Sequence, residues 1–206
     1  KGSKFGRDEQ EKVWQNAEVD ALRRLADAGV RVPRTYGMLE GVLLMELVVD
    51  DAGDVAPRLG EVVMDAEQAR EDHALMMHYV VLMLCAGLVH GDLSEFNVLV
   101  DAYGPVVIDL PQAVDAAANN HAEAFLLRDV NNMTRYYGQY APALVGSRYG
   151  EEIWALYEAG ELHPEVSLTG VFEDSGEAAN VEDVLAEIKA AFEEEQERQE
   201  RLNDSD

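Results

Sequence analysis

A single stretch, Leu88 to Asp109, constrains this chain more than any other: LVHGDLSEFNVLVDAYGPVVID. The apolar run Leu82 to Val89 reads as the end of a helix, with Gly87 placed as its stop. HGDLSEFN is too polar and irregular for helix or core strand, so it reads as a loop pinned at both ends. Val98 to Val100 then forms a short strand, Asp101 to Gly104 a turn, and Val106 to Ile108 the partner strand. That hairpin predicts Asp109 beside Asn97, although the two are distant in sequence.

The loop sets His90, Asp92 and Asn97 in an H-x-D-x-x-x-x-N spacing. Phosphoryl transfer uses such a set: one carboxylate accepts a hydroxyl proton, while an amide and a second carboxylate hold magnesium on nucleotide phosphates. Asp92 is free on the loop to act as general base. Asn97 and Asp109 are oxygen donors suited to a hard cation. A lone Asp or Asn in a loop is ordinarily a turn former or cap. The second strand, ending in Asp at the right distance, lifts this set above that.

HGDLSEFN followed by IDLPQAVD resembles the RIO family of atypical serine/threonine kinases, in its bacterial form. The resemblance runs from about Gly2 to Phe172. Its most specific parts are Ser94 to Asn97 and Ile108 to Ala113. Aminoglycoside-type phosphotransferases share an HGD loop, but typically follow its Asp with a His-Pro pair, where Ser94-Glu95 stands here.

The resemblance implies an α+β, protein-kinase-like fold: mostly the helical C-lobe, plus an N-lobe remnant of C-helix and two strands. The implied division is 1–48 for the remnant and hinge, 49–172 for the C-lobe, and 173–206 for an acidic helix or tail. It implies Asp92 as catalytic base, and Asn97 and Asp109 as metal ligands, with Asp109 a candidate aspartyl-phosphate site. Met45 to Val48 resembles the gatekeeper and hinge, with backbone groups of Glu46 and Val48 meeting adenine. Glu18 matches the C-helix glutamate that pairs with the phosphate-binding lysine. The implied cofactors are ATP and Mg2+, with Mn2+ as a substitute, and the implied partner is a protein substrate or the chain itself.

Two departures narrow the expectation. Gly91 stands where protein kinases commonly carry an arginine that reads a phosphorylated activation loop. Leu110-Pro111 replaces Phe-Gly, and no A-P-E signature precedes the next helix. The chain also lacks a G-x-G-x-x-G loop, and its lysines are Lys1, Lys4, Lys12 and Lys189, none on an apolar strand. The chain thus reads as the later part of a longer kinase, inactive alone while the intact parent transfers phosphate. The other readings are a small-molecule phosphotransferase and a non-catalytic binding module.

With 16 Lys and Arg against 41 Asp and Glu, the net charge is −25. Direct binding to nucleic acid phosphates draws on clustered cations and is not expected. The longest apolar run, Val80 to Val89, is too short to span a bilayer, and a cytoplasmic location is expected. Cys85, the single cysteine, is expected as a buried structural thiol.

The remaining pattern predicts a helix from about Asp8 to Ala28, strands near Thr35 to Leu39 and Val42 to Val48, and a surface loop over Asp50 to Gly60. Asp65 should cap a helix through about Ala86, with Ala69, His73, Met76, Met77, Val80 and Leu84 on its apolar stripe. His73, His78, His121 and His163 show no metal-ligand pattern, so surface or capping roles are the default. A helix from Ala122 to Tyr137 carries Arg128 and Asp129 as a candidate buried pair. Further helices are expected over Tyr149 to Glu158 and Val181 to about Leu202.

Overall fold

The computed structural model describes residues 18–39 and 41–173. The described residues up to 172 belong to one compact unit. Its described part is α+β, as expected. The calls on 1–17 and on the C-terminal helix over 181–202 lie outside the described residues.

Helix α1 is described over 18–27, and Val19, Ala21, Leu22 and Leu25 form its buried side. Gly29 follows it in the left-handed region. Strands β1 (Thr35–Leu39) and β2 (Val42–Met45) pair as an antiparallel hairpin, with Leu39 opposite Val42 and Gly37 opposite Leu44. The second strand is shorter than its apolar run predicts, because beyond Met45 the chain leaves this ladder and Val49 bridges to Val55 instead. Met38 and Leu43 share one face of the hairpin, and Leu43 packs against the core. Leu39, Val42 and Leu44 are exposed.

The segment Asp50 to Gly60 is not purely a surface loop. Its end forms a short 3-10 turn (Leu59–Glu61) in which Leu59 is 0% exposed, and Ala56 is buried as well. Burying one leucine contributes about 2 kcal/mol, enough to fix where this crossing segment lies. The Tyr136 hydroxyl donates to the Leu59 carbonyl from across the core.

Helix α2 (Ala66–Cys85) is the centre of the fold. Asp65 caps it, its carboxylate accepting the N–H groups of Glu67 and Gln68 at 2.9 Å each. Every residue of the predicted stripe is buried. Cys85 is the exception to expectation: at the last turn it faces outward and is exposed. Helix α3 (Ala122–Tyr137) packs on α2, and α4 (Tyr149–Glu158) packs on α3. The Asn119 side chain does not cap α3 but accepts the His121 N–H, one residue before the helix starts.

His73 corrects the surface default for histidines, since it is 1% exposed between α2, α3 and α4. Its Nε2 lies 3.0 Å from the Thr134 hydroxyl, and the rings of Tyr137 and Tyr149 pack on it. Burial pushes its pKa down to about 4 from the ordinary 6.5. The unfolded chain therefore takes up a proton below pH 6.5 that the folded one refuses, and stability falls as pH drops toward 4. Between those values the loss reaches about 3 kcal/mol. Urea melts at pH 7 and pH 4 should show that loss in the wild type relative to His73→Gln. A constant difference between the two proteins would mean that His73 charges freely in the folded state.

Candidate active site

Two antiparallel ladders bracket the site. Strand β3 (Leu88–Val89) pairs with β6 (Val114–Asp115), and β4 (Val98–Asp101) pairs with β5 (Gly104–Val107). Val89 lies opposite Val114 and Val98 opposite Val107. Residues 90–97 and 108–113 are thus two limbs pinned together at both ends. The β4–β5 hairpin was legible from its apolar runs. The β3–β6 pair was not, because two residues carry no alternation signal.

Within this bracket, backbone and side chains tie the limbs across. The Ile108 N–H donates to the Asn97 carbonyl at 3.0 Å, which sets Asp109 next to Asn97. His90 is 2% exposed and holds both limbs. Its Nδ1 accepts the Asp92 N–H at 3.3 Å, so Nε2 carries the proton and donates to the Ile108 carbonyl at 3.1 Å. Burial lowers its pKa, which keeps the ring in that neutral form. The Asn97 amide donates from Nδ2 to the Asp92 carbonyl at 2.8 Å and to Asp92 Oδ2 at 3.2 Å. Both donors' targets are acceptors, so the amide oxygen of Asn97 is the end left for a cation.

Asp109 has φ of 66°, and no other non-glycine among the described residues has positive φ. Aspartate tolerates this left-handed conformation better than most residues, yet it costs free energy and tends to be kept where function needs it. Glu18, half-buried on α1, has its pKa raised by burial and then by the Asp109 charge, which places the two carboxylates in one neighbourhood.

Helix α3 fastens the loop from below. Asp129 is 2% exposed, and its oxygens accept the N–H groups of Gly91 at 2.8 Å and Leu93 at 2.9 Å. Arg128 donates to the Gly91 carbonyl, and Asn132 to the Leu93 carbonyl at 3.1 Å. Arg128 and Asp129 do anchor the loop, but each grips its backbone; they do not form the ion pair expected of them. Burial pushes the Asp129 carboxyl up to about 7, against the pull of two N–H donors and the Arg128 charge. Asn132 and His90 are the structural contributors that sequence reasoning left without a role. The i, i+4 spacing of Arg128 and Asn132 was the available signal.

At the hinge-like segment, the Glu46 N–H donates to the Arg34 carbonyl at 2.8 Å, and the Val48 carbonyl accepts the Ala56 N–H at 3.0 Å. Those bonds leave the Glu46 carbonyl and the Val48 N–H without a backbone partner among the described residues. Met45 is exposed at the end of β2.

Gly91 has φ of 81°, and a Cβ there would stand 2.6 Å from the Gln112 carbonyl oxygen. This position therefore excludes a side chain twice over, by backbone conformation and by contact.

A RIO domain sequence model matches residues 1–149. The RIO-type serine/threonine-protein kinase Rio1 of Haloferax volcanii is 41% identical over 128 residues, covering 61% of this chain and 42% of that protein. A probable serine/threonine-protein kinase RIO1 homolog of Encephalitozoon cuniculi is 33% identical over 144 residues, 69% of this chain and 36% of its own. Human serine/threonine-protein kinase RIO1 is 33% identical over 138 residues, 66% and 24% respectively. The chain thus spans less than half the length of these relatives. Among the described residues, no helix is long and apolar enough to cross a membrane.

Gly91→Ala should destabilise the protein by about 1–3 kcal/mol in urea unfolding. Gly53→Ala is the control, because Gly53 has a similar φ of 83° with open space around it. Equal losses at the two positions would show that the Gln112 carbonyl yields without cost.

Proposed function

The chain belongs to the RIO domain family, and on that premise we propose that it carries the base and metal ligands of an ATP- and magnesium-dependent serine/threonine kinase. The observation that carries this reading is the convergence of Asp92, Asn97 and the strained Asp109 on two cross-tied limbs.

Asn97 engages one oxygen of the Asp92 carboxylate, Oδ2, and leaves Oδ1 for an incoming hydroxyl. As the hydroxyl oxygen bonds phosphorus and the bond to the departing ADP breaks, the hydroxyl proton passes to Asp92. His90 fixes the backbone on which that carboxylate stands.

The donor set fits magnesium. Asn97 Oδ1 and the Asp109 carboxylate are hard oxygen ligands, and magnesium usually takes one or two carboxylates together with substrate phosphates and waters. Bound there, the ion supplies charge neutralisation for the transferred phosphoryl group. Mn2+ has the same ligand preference. The Glu46 carbonyl and Val48 N–H are assigned to the adenine edge, Met45 to the gatekeeper, and Glu18 to the lysine that grips the phosphates. With no lysine among residues 13–188, this chain alone binds ATP poorly and transfers no phosphate efficiently. The acceptor is a protein serine or threonine, on a substrate or on the kinase itself, and the location is the cytoplasm.

In the protein that carries these residues, Asp92→Asn should retain ATP binding and lose transfer by about two to four orders of magnitude. Near-normal turnover in that variant would remove Asp92 as the base. Asp109→Ala should abolish magnesium-dependent ATP binding measured by calorimetry, and unchanged binding would place the metal elsewhere.

A further inference from the structure

Strand β5 leads through Ile108 into Asp109, and one residue far upstream holds that strand at both ends. At its last residue, the Val107 N–H donates to the Arg31 carbonyl at 2.8 Å. The next N–H, that of Ile108, turns the other way, to Asn97. At the first residue of β5, Arg31 Nη1 donates to the Gly104 carbonyl at 3.1 Å. The same guanidinium grips the Asp101 carboxylate with both nitrogens, Nη1 to Oδ1 at 3.0 Å and Nη2 to Oδ2 at 2.5 Å. Asp101 Oδ1 also accepts the Tyr103 N–H at 2.8 Å and so shapes the β4–β5 turn itself.

Arg31 is itself anchored to α1. The Gly29 N–H donates to the Ala26 carbonyl at 3.0 Å and the Val30 N–H to the Leu25 carbonyl at 2.9 Å, which closes the helix just before it. An exposed ion pair contributes little, but this one is bidentate, has a third acceptor and leaves the Asp101 side chain only 11% exposed. A single attachment at Val107 would let the hairpin pivot there; the second, at its turn, fixes its angle against α1. Asp109 lies two residues past that pivot, about 7 Å at the rise of a strand. A tilt of about 10° therefore displaces it by about 1 Å. Its positive φ is likewise a conformation that persists only where the surroundings over-determine it.

We propose that Arg31 is a positioning residue for magnesium: its side chain sets the angle of the β4–β5 hairpin at which Asp109 meets the ion together with Asn97. This rests on the metal reading of Asn97 and Asp109. Magnesium demands near-ideal octahedral geometry, whereas calcium accepts a flexible shell with longer bonds. Loosening the hairpin therefore penalises magnesium far more than calcium. Loss of a merely structural contact would lower stability and leave that selectivity untouched.

Mg2+ and Ca2+ titrated into the 206-residue chain, followed by NMR at the Asn97 side-chain amide, test the proposal. Arg31→Met should weaken Mg2+ by about tenfold, the low end for losing an outer partner at a metal site. Ca2+ should weaken by no more than about twofold. Asp101→Asn keeps an oxygen for the turn but loses the charge; it should match Arg31→Met, and the double variant should lose no more than either. Arg24→Ala cuts a different tie of α1, to the Ala86 carbonyl, and should leave Mg2+ affinity unchanged. Thermal unfolding checks that each variant folds. If Arg31→Met does not, Arg31→Lys decides: it keeps the charge without the planar fork and should show the same selectivity at smaller size. Equal weakening of the two ions, additive losses in the double variant, or an equal effect of Arg24→Ala would overturn the proposal. Asp109→Ala separates it from the reading beneath it. If that variant abolishes the Mg2+ response and Arg31→Met leaves it unchanged, the positioning role alone falls. If Mg2+ binding survives Asp109→Ala, the metal reading falls and the positioning role with it.

Discussion

The loop that carries Asp92 has no regular structure of its own, so its shape depends on the Asp129 carboxylate beneath it. A buried carboxylate with two N–H donors is far better off than one without, yet burial still raises its pKa to about 7. Because the folded state holds this proton more tightly than the unfolded one, the group's contribution to stability declines as pH rises from 4 toward 7. The fold accepts that cost in return for position. Removing either N–H donor would weaken the compensation of the buried charge, and removing the carboxylate would leave two buried N–H groups unpaired.

Around that anchor the site is built from backbone more than from side-chain partners. The two limbs are joined by two short ladders, one direct backbone bond and one histidine. Each member constrains another: His90 orients Asp92, Asn97 orients the Asp92 carboxylate, and the Asn97 carbonyl sets the register of Ile108. The catalytic candidates are therefore positioned by backbone groups, by His90 and by one another. The acidic surface plays no part in this assembly, whose charges are few and individually partnered or strained.

Much of this was legible in the sequence where an element was long or carried a strong local code. The cap at Asp65, the stripe along α2, the extent of α3 and α4, and the hairpin leading to Asp109 all follow from periodicity and turn chemistry. Three readings failed where the outcome depended on partners remote in sequence. Arg128 and Asp129 meet backbone groups of residues 91–93 rather than each other. His73 is buried because Thr134, Tyr137 and Tyr149 surround it. Leu59 is core because Tyr136 and the segment around it close over a stretch whose composition reads as loop. Cys85 shows the opposite error, since an apolar run continues past the point where the helix turns outward.

Gly91 bears on how a protein like this can change over generations. Adding a side chain there requires a new backbone conformation and a displaced Gln112 carbonyl together, and the second limb carries that carbonyl. A single substitution at 91 therefore leads downhill, whatever benefit the new side chain brings once accommodated. An arginine that senses a phosphate could be acquired at this position only after the neighbouring limb had been rebuilt, which makes the glycine an entrenched choice, maintained by its surroundings.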